Sequence, residues 1–341
     1  MSNLSNSLMS LLFFISTLFI SGCNPQQSAI NGQTMGTYYS IKYIASSDSP
    51  SESQLHNQID LLLEEVNNQM STYRPDSELS RFNQSREINQ PFPVSAATVK
   101  VVNEAIRINQ LSQGALDISV GPLVNLWGFG PEAHTDQVPT EAELEKRRAW
   151  VGMDKLKVEG NALVKLIPEL YLDLSSIAKG YGVDAVAEYL ESVGIENYLV
   201  DIGGEVRTRG INDRKQPWRI AIEKPSAGIE QTVQEVVEPG NISMATSGNY
   251  RNFFEVNGVR YSHTIDPRTG RPVTNNIVSI TVMSPSCMTA DGFSTALGVM
   301  GPEEGIALAD KLGIPVMVIT QSDNDFVEHY SAAFKAKVAI H

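Results

Sequence analysis

The stretch from Ser262 to Gly270 constrains the fold most strongly, because strand signals flank it on both sides. Before it, the pair Asn257-Gly258 separates two apolar runs, and both residues tolerate the positive φ angles of a tight hairpin turn. After it, Asn276 to Met283 alternates β-branched residues and predicts another strand. Asp266-Pro267 fits the first two positions of a β-turn. The pattern therefore predicts a hairpin, with His263 and Asp266 at a strand end and in the turn that follows.

Two other stretches add candidate chemistry. Asp173 to Asp184 predicts a strand, a turn and a helix, and the unpaired N–H groups at a helix start suit a phosphate. Asp291, Ser294 and Thr295 are spaced i, i+3 and i+4, so a carboxylate and two hydroxyls share one helix face. Such hard oxygen donors suit Mg²⁺. The alternatives are helix capping or hydrogen bonds to backbone carbonyls for these oxygens, and a simple surface position for His263.

The N-terminal residues have the pattern of a targeting segment. The first 22 residues carry no charge, and the apolar run from Leu11 to Ile20 is too short to span a bilayer as a mature helix. The run ends in Ile20-Ser21-Gly22-Cys23, which looks like a bacterial lipobox and predicts cleavage before Cys23 and lipidation of its thiol. An uncleaved signal anchor is the alternative. We predict a signal peptide over residues 1–22, a lipid-anchored tether over 23–31 and one domain over 32–341.

Composition narrows the class of protein. The net charge of −13 disfavours non-specific binding of nucleic acid and polybasic contact with a membrane. The chain has two cysteines, Cys23 and Cys287. If Cys23 is acylated, Cys287 has no partner, so we expect no disulfide and predict that Cys287 is a buried, inert thiol.

Hydrophobic periodicity places helices and strands along most of the chain. Helices are predicted over Glu52–Met70, Thr98–Leu111, Ile177–Val193, Thr289–Met300 and Pro302–Leu312, with a capping box at Thr140–Glu143. Strands or hairpins are predicted over Thr37–Ile44, Leu156–Ile167, Tyr171–Ser175, Asn197–Ile202, Trp218–Ile222, Ile314–Thr320 and Tyr330–Ile340.

Taken together, these stretches resemble the ApbE family of flavin transferases. The motifs that carry the resemblance are Met35–Thr37, Tyr73, Gly114–Pro122, Asp173–Gly180, Asp201–Gly204, Ser247–Asn249, His263–Gly270 and Ala290–Thr295. They run in family order through nearly all of the mature chain. The resemblance implies an α/β (mixed α+β) single domain of two lobes, with a FAD cleft between them.

The resemblance also implies a reaction that uses FAD as substrate together with Mg²⁺. A Thr or Ser hydroxyl of a partner protein attacks the FMN-side phosphorus of the pyrophosphate, FMN becomes linked as a phosphoester, and AMP leaves. His263, whose reference pKa is about 6.5, can take the hydroxyl proton. Asp266 would orient or assist it.

The family pattern assigns further roles by position. Asp291, Thr295, the carbonyl of Ala178 and Ser294 would hold Mg²⁺, and Tyr73 would stack on a ring of FAD. The other residues expected to contact FAD are Met35, Ala115, Leu116, Asp117, Ser175, Lys179, Tyr181, Gly203, Gly204, His263 and Thr264.

Two other functions stay open at this point: a FAD pyrophosphatase that gives FMN and AMP, and a noncatalytic flavin-binding lipoprotein. The implied partner is a periplasmic or membrane redox protein that carries the flavinylated Thr or Ser, with no nucleic acid involved. Because lipid anchoring is common in the family, we expect the protein at the periplasmic face of a bacterial membrane, with the inner membrane preferred.

Overall fold

The fold is taken from a computed structural model, in which residues 26–132, 138–224, 232–248, 253–256, 258–322 and 325–337 are described. The predicted signal peptide and Cys23 lie outside these residues. Within the described ranges, no helix is both long and apolar enough to cross a membrane.

The described helices are α1 Glu52–Met70, α2 Glu78–Gln84, α3 Ala96–Leu111, α4 Gly121–Leu126, α5 Glu141–Arg148, α6 Ala178–Ser192, α7 Cys287–Met300, α8 Pro302–Leu312 and α9 Ala332–Lys337, with 3₁₀ turns at Ile118–Val120 and Met153–Lys155. Those that the sequence predicts lie close to their predicted positions, whereas α2, α4 and α9 were not predicted. The capping box predicted at Thr140 is confirmed, since Thr140 and Glu143 exchange side-chain to backbone hydrogen bonds at the start of α5.

The strands are short, and many are joined by tight turns. They are β1 Gln27–Thr34, β2 Thr37–Ile44, β3 Pro91–Pro93, β4 Leu156–Val158, β5 Ala162–Lys165, β6 Tyr198–Ile202, β7 Glu205–Arg209, β8 Ile220–Lys224, β9 Thr232–Val237, β10 Ser243–Gly248, β11 Phe253–Val256, β12 Val259–Ser262, β13 Ile265–Asp266, β14 Arg271–Pro272, β15 Ile277–Ser284, β16 Val316–Ser322 and β17 Asp325–Tyr330.

Among the described residues, the largest sheet has eight strands in the order β1-β2-β6-β7-β10-β15-β16-β17, and every neighbouring pair is antiparallel. Smaller sheets join β3-β5-β4, β8-β9, β11-β12 and β13-β14. Helices and an antiparallel sheet share one structure, so the mixed α+β prediction is confirmed. The division into two lobes stays a prediction.

Helices α1 and α6 pack on the β1-β2-β6 part of the sheet. Leu55 and Ile59 of α1 share a buried cluster with Val183 and Val186 of α6 and with Ile41 of β2. The cluster explains why the helical periodicity of α1 was readable in the sequence, because its apolar stripe is the face turned to the core.

The middle of the sheet is buried on both faces. Alternation along β10, β15 and β16 sends neighbouring side chains to opposite sides. Ala245 and Ile280 join the core beneath α7, whereas Met244 and Ile319 join a separate cluster with Phe334 of α9.

The hairpin and turn around residues 262–270 form as predicted. Strands β11 and β12 pair antiparallel, with Phe253 opposite Ser262. The Gly270 amide donates to the carbonyl oxygen of Asp266 at 2.8 Å, which closes the turn between β13 and β14. The predicted strand after this turn is β15.

The strand predicted over Tyr171–Ser175 is wrong, because this segment is irregular. Its backbone groups are paired with a side chain and a loop instead of a neighbouring strand. Asn83 Nδ2 donates to the Leu172 carbonyl, and the Leu172 amide donates to Asn83 Oδ1, both at 2.8 Å. The Asp173 amide donates to the Ile118 carbonyl at 2.7 Å.

Two predictions near the chain ends also need correction. The last strand, predicted over Tyr330–Ile340, ends at Tyr330, because the Ser331 hydroxyl accepts from the Phe334 amide at 3.2 Å and helix α9 follows. The predicted tether over 23–31 overlaps β1, which pairs with β2 along its whole length. Polarity suggested a tether, but an edge strand exposes one face and tolerates polar residues there.

Candidate active site

A cleft of about 600 Å³ lies between the β6–β7 turn, β10, the start of α6 and the middle of α7. The predicted site residues that line it are Tyr73, Ala115, Leu116, Asp117, Ser175, Lys179, Gly203, Gly204, His263, Thr264, Asp291, Ser294 and Thr295. The structure therefore brings most of the predicted residues together around one cavity, although they span more than half of the sequence.

Met35 and Tyr181 lie elsewhere. Met35, at a φ of 50°, stands in the two-residue turn between β1 and β2. Its side chain packs toward α6, since a Cβ on Gly182 would be 2.9 Å from Met35 Cε. Met35 lines a second cavity that shares Tyr38 with the cleft. Tyr181 is half-buried on α6, with Lys100 Nζ 5.6 Å from its ring centre. Flavin contacts of Met35 and Tyr181 stay predictions.

The oxygen donors of α7 face the cleft as their spacing predicted. Asp291 is buried, and its Oδ2 accepts from the Gly180 amide at 2.9 Å. The Ser294 hydroxyl donates to the Asp291 carbonyl at 2.8 Å, which is the ordinary helical role that the sequence left open for it. Its oxygen still has lone pairs for a ligand, and Thr295 lines the same wall.

Helices α6 and α7 are closely packed at Gly180. A Cβ at this position would be 2.4 Å from the Cys287 carbonyl oxygen and 2.8 Å from Asp291 Cβ. Any side chain there would push the two helices apart, so glycine is what allows the Gly180 amide to reach the Asp291 carboxylate.

Glu205, at the start of β7, is a cleft residue that the sequence did not reveal. It is almost fully buried, and Lys179 Nζ lies 2.5 Å from its Oε2 as an ion pair. Within the part of the chain that the structure describes, Glu205 Oε2 accepts no aligned hydrogen bond. A signal was available, since Glu205 directly follows the glycine pair of the Asp201–Gly204 motif.

Charge balance around Lys179 leaves room for a cation. Burial raises the pKa of both Glu205 and Asp291. Burial alone would lower the pKa of Lys179, but the carboxylates of Glu205 and Asp291 outweigh it and raise that pKa. Both acid groups therefore resist ionisation, and a bound cation beside them would favour their charged forms.

The turn between β6 and β7 depends on two glycines. Gly203 and Gly204 have φ angles of 61° and 102°, a region that favours glycine. The Gly204 amide donates to Asp201 Oδ1 at 2.9 Å, and burial raises the pKa of Asp201. The turn brings backbone and the Asp201 side chain to the cleft wall, which agrees with the prediction that a ligand approaches the backbone here.

The segment before α6 forms a compact turn at the cleft. Asp173 Oδ1 accepts from the Ser175 amide at 2.9 Å and from the Ser175 hydroxyl. Helix α6 begins at Ala178 without a side-chain cap on its first turn. Ser175, Ser176 and Lys179 line the cleft beside this helix start, and its positive dipole end favours an anionic group.

Asp117 lines the opposite wall and caps the 3₁₀ turn that follows it. Its Oδ1 accepts from the Ser119 amide at 2.8 Å and from the Ser119 hydroxyl at 2.5 Å. Burial raises the pKa of Asp117, although these hydrogen bonds lower it in part. Asp117 therefore holds the backbone of its own loop, where Ala115 and Leu116 also reach the cleft.

His263 stands between β12 and β13, where an aromatic cluster holds its hairpin in place. The Phe129 ring contacts His263 edge-on, with ring centres 6.4 Å apart, and Phe129 also packs on Phe254 at 5.4 Å. Phe254 stacks on Tyr261, which stacks on Trp127. Phe129 was not predicted, and it fixes the hairpin against the loop after α4.

Asp266 has a structural partner in its own turn. Its Oδ1 accepts from Arg268 Nε at 2.9 Å and its Oδ2 from Arg268 Nη2 at 3.0 Å, while the Arg268 amide also donates to Oδ1. These hydrogen bonds raise the pKa of the Arg268 guanidinium. Any help that Asp266 gives to His263 would require this bidentate pair to loosen.

Tyr73 stands at the mouth of the cleft with 66% of its surface exposed. Its hydroxyl donates to the Phe129 carbonyl at 3.3 Å, which ties the phenol to the loop beside His263. An exposed ring held at one end offers a face on which a flat heterocycle can stack.

The donor set fits Mg²⁺ better than a transition metal. No group of three or more His, Cys, Asp and Glu side chains in the described ranges is arranged to hold a metal ion. The cleft instead offers the Asp291 carboxylate, the hydroxyls of Ser294 and Thr295, and the carboxyl group of Glu205, whose Oε2 is ion-paired with Lys179. These are hard oxygen ligands. Ala178 is the first residue of α6, where a carbonyl normally accepts an intrahelical hydrogen bond, so it is the weakest member of the predicted set.

Comparison with known proteins identifies the family. A sequence model described as the ApbE family matches residues 35–318. The FAD:protein FMN transferase of Vibrio cholerae is 58% identical over 327 residues, which cover 95% of this chain and 97% of that protein. The protein of the same name from Haemophilus influenzae is 48% identical over 325 residues, covering 93% of this chain and 94% of that one.

The fold agrees with the sequence match. The solved structure of the flavin transferase ApbE from Vibrio cholerae resembles this structure with a TM-score of 0.86 at 57% identity, over 92% of this chain and 99% of that one. A family match over most of the sequence, near-complete coverage and a shared fold lead to one conclusion: this chain is a member of the ApbE family.

Proposed function

We propose that this chain is a FAD:protein FMN transferase, which moves the FMN part of FAD onto a Thr or Ser hydroxyl of a partner protein and releases AMP. The observation that carries the proposal is the convergence of His263, Lys179 and the α7 oxygen donors in one cleft. The relatives from Vibrio cholerae and Haemophilus influenzae that carry this name cover nearly the whole chain, which supports the same activity here.

The cleft can bind a dinucleotide through its phosphates and its rings. Lys179 and the start of α6 favour the negative charge of a pyrophosphate. The β6–β7 glycine turn lets the ligand approach the backbone, and the exposed ring of Tyr73 offers a stacking face. These groups orient FAD with its pyrophosphate near α7, which is the arrangement that displacement at phosphorus needs.

His263 is the proposed general base. It takes the proton of the acceptor hydroxyl, whose oxygen then forms a bond to the FMN-side phosphorus. The bond between that phosphorus and the bridging oxygen breaks, and AMP leaves with the bridging oxygen. A histidine titrates near neutral pH and is suited to this transfer.

Asp291, Thr295 and Ser294 would hold Mg²⁺ beside the pyrophosphate. When bound, the cation neutralises charge that develops on the phosphate oxygens. Asp291 is oriented for this role by the Gly180 amide, and Lys179 adds a second positive charge on the same side of the cleft. The resemblance to the family and the hard oxygen donors support this metal.

We also propose where the reaction takes place. The lipobox-like residues before Cys23 support an acylated mature chain, held at the periplasmic face of a bacterial membrane, with the inner membrane preferred. The acceptor would then be a periplasmic or membrane redox protein within reach of the anchored domain.

The proposal is tested by mixing the mature protein with FAD, Mg²⁺ and a candidate periplasmic acceptor. Flavin fluorescence that migrates with the acceptor in a denaturing gel is the expected result. The matched control is an acceptor in which the target Thr or Ser is replaced by Val. This acceptor should show no flavin fluorescence in the gel. Free FMN without labelled acceptor would show hydrolysis in place of transfer.

A further inference from the structure

Asp184 lies on α6 away from the cleft surface, and its carboxylate accepts four hydrogen bonds. Its Oδ1 accepts from the Cys287 amide and from Arg207 Nη1, both at 2.9 Å. Its Oδ2 accepts from the Ser286 hydroxyl at 2.7 Å and from the Met288 amide at 3.0 Å. The side chain is 4% exposed. Three of these four donors belong to the first turn of α7 and its cap.

The two helices exchange hydrogen bonds at two levels. One turn before Asp184 on α6, the Gly180 amide donates to Asp291 Oδ2 at 2.9 Å. One turn before Asp291 on α7, the Cys287 amide donates to Asp184 Oδ1 at 2.9 Å. Each helix thus supplies one carboxylate and one amide. Gly180 pairs with Asp291 and Asp184 pairs with Cys287, so the paired residues follow one another in antiparallel order along the two helices. A slip of either helix would break both levels together.

From this geometry we propose that Asp184 is a positioning residue, which fixes the register of α7 against α6 and thereby holds the Asp291 carboxylate in place for the metal. This inference rests on the proposed function, because that function supplies the metal ion that Asp291 would bind. Asp184 does not line the cleft, and it acts through the α7 backbone and Gly180.

The start of α7 explains why a carboxylate is needed. The first N–H groups of a helix have no intrahelical partner, and a buried donor left unpaired is unfavourable. The Asp184 carboxylate satisfies two of them and complements the positive end of the helix dipole. The other role open to Asp184, as the counter-ion of Arg207, is already shared, because Arg207 Nη2 also lies 3.0 Å from Glu191 Oε1.

Asp184→Asn and Glu191→Gln form a matched pair for the test. Both replace a carboxylate on α6 that binds Arg207, but among these two only Asp184 contacts α7. Two readouts are taken from folded protein, with folding checked by circular dichroism. One is the affinity for Mn²⁺ as a magnetic probe, measured by electron paramagnetic resonance with FAD present. The other is hydrogen exchange of the peptide that contains Gly180, without metal or FAD.

We expect Asp184→Asn to weaken Mn²⁺ binding by about tenfold or more, as losses of outer groups that orient a metal ligand do, and to speed exchange at Gly180. Glu191→Gln should match wild type in both readouts. If Asp184→Asn does not fold, Ser286→Ala removes one of the four hydrogen bonds to Asp184, together with the cap that the Ser286 hydroxyl provides to the Thr289 amide, and should shift both readouts in the same direction by less.

Wild-type Mn²⁺ affinity and wild-type exchange at Gly180 in a folded Asp184→Asn or Ser286→Ala variant would overturn the positioning role. A wild-type protein that binds no Mn²⁺ would instead contradict the metal part of the proposed function. In that case, the exchange at Gly180 alone decides the role of Asp184.

Discussion

At the scale of single residues, two side chains of the same turn differ in what they can do. His263 lines the cleft beside Phe129, whereas both carboxylate oxygens of Asp266 are held by Arg268. The family resemblance gave the role of base to His263 and that of a helper to Asp266. The geometry favours His263, because Asp266 stabilises the turn through its pairing with Arg268.

His263→Ala should slow transfer at saturating FAD by about 10²- to 10⁴-fold, the usual loss when a general base is removed. The affinity for FAD, measured by fluorescence titration, should change little. Asp266→Asn is the companion variant, and we expect a smaller loss of turnover because it perturbs the turn and leaves the imidazole. A His263→Ala protein that labels its acceptor at the wild-type rate would exclude the role as base.

The sequence predicted the roles of residues that belong to a recognisable motif. It did not predict the roles of residues that depend on contacts formed in the folded protein. Helical spacing indicated Asp291 and Thr295 as oxygen donors, with capping as the alternative, and the family motif gave them the metal-binding role. Glu205 was missed because its role depends on Lys179 reaching it across the space between α6 and β7. Phe129 was missed because an aromatic contact with His263 requires the hairpin and the loop after α4 to meet.

At the scale of elements, the site depends on how closely α6 and α7 pack. Gly180→Ala would place a methyl group 2.4 Å from the Cys287 carbonyl oxygen. We expect the unfolding free energy to fall by about 1–3 kcal/mol, the range for overpacking. Transfer activity should fall as well, because the separated helices lose the hydrogen bond from Gly180 to Asp291. Denaturant unfolding and the gel assay measure the two effects.

Gly298→Ala on α7 is the control for this prediction. A Cβ at Gly298 would meet only Ile280 Cγ2, at an ordinary 3.7 Å. Alanine is the better helix former by about 0.5–1 kcal/mol, so the variant should be equally or more stable and fully active. Equal stability and equal transfer activity of Gly180→Ala and Gly298→Ala would show that the close contact of α6 and α7 at Gly180 is not needed.

Helix α2 ends on a buried lysine that should make stability depend on pH. Lys165 Nζ donates to the carbonyls of Asn83 and Ser85 at 3.0 and 2.8 Å, and burial lowers its pKa from 10.5 to about 8. Between these values the unfolded chain binds more protons, so the unfolding free energy should rise as pH increases from about 8 toward 10.5. Lys165→Met should lack this rise in denaturant unfolding between about pH 7.5 and 9.5. If the unfolding free energy changed equally with pH in wild type and in Lys165→Met, Lys165 would not be the source of the pH dependence.

Elements with strong periodicity were predictable, and those set by tertiary partners were not. Helix α1 matches its prediction residue for residue, because its apolar stripe is its core face. The segment after Tyr330 has an apolar pattern that suits a strand, but the Ser331 hydroxyl starts a helix there. Strand β1 is polar, and only its pairing with β2 reveals it as part of the sheet.

At the scale of the whole molecule, the antiparallel sheet is what assembles the site. Its order places β6 and β7 between β2 and β10, so the glycine turn after β6 and the end of β10 reach the same cleft as α7. No single stretch of sequence contains this arrangement. The order of the family motifs along the chain indicated the fold, because it matched the chain to a family whose whole fold is shared. It did not predict how the individual strands pair.

The predicted anchor can be tested on the full-length chain. Cys23→Ser should leave the protein uncleaved or release it from the membrane fraction, because it removes the thiol that would be acylated. Cys287→Ala, which changes the other cysteine and leaves the lipobox intact, should remain in the membrane fraction. Cell fractionation with immunoblotting is the measurement. Wild-type protein that is soluble, lacks residues 1–22 and carries an unmodified Cys23 would refute the anchor.

FMN transfer is tested most directly by the ratio of two products in one reaction. With FAD, Mg²⁺ and acceptor present, AMP is measured by chromatography, and acceptor-bound FMN is measured by intact mass. Transfer predicts one AMP for each FMN gained by the acceptor, with both products lost when the acceptor or Mg²⁺ is omitted. AMP that forms at the same rate without acceptor, together with free FMN and an acceptor of unchanged mass, would show hydrolysis of FAD and exclude FMN transfer.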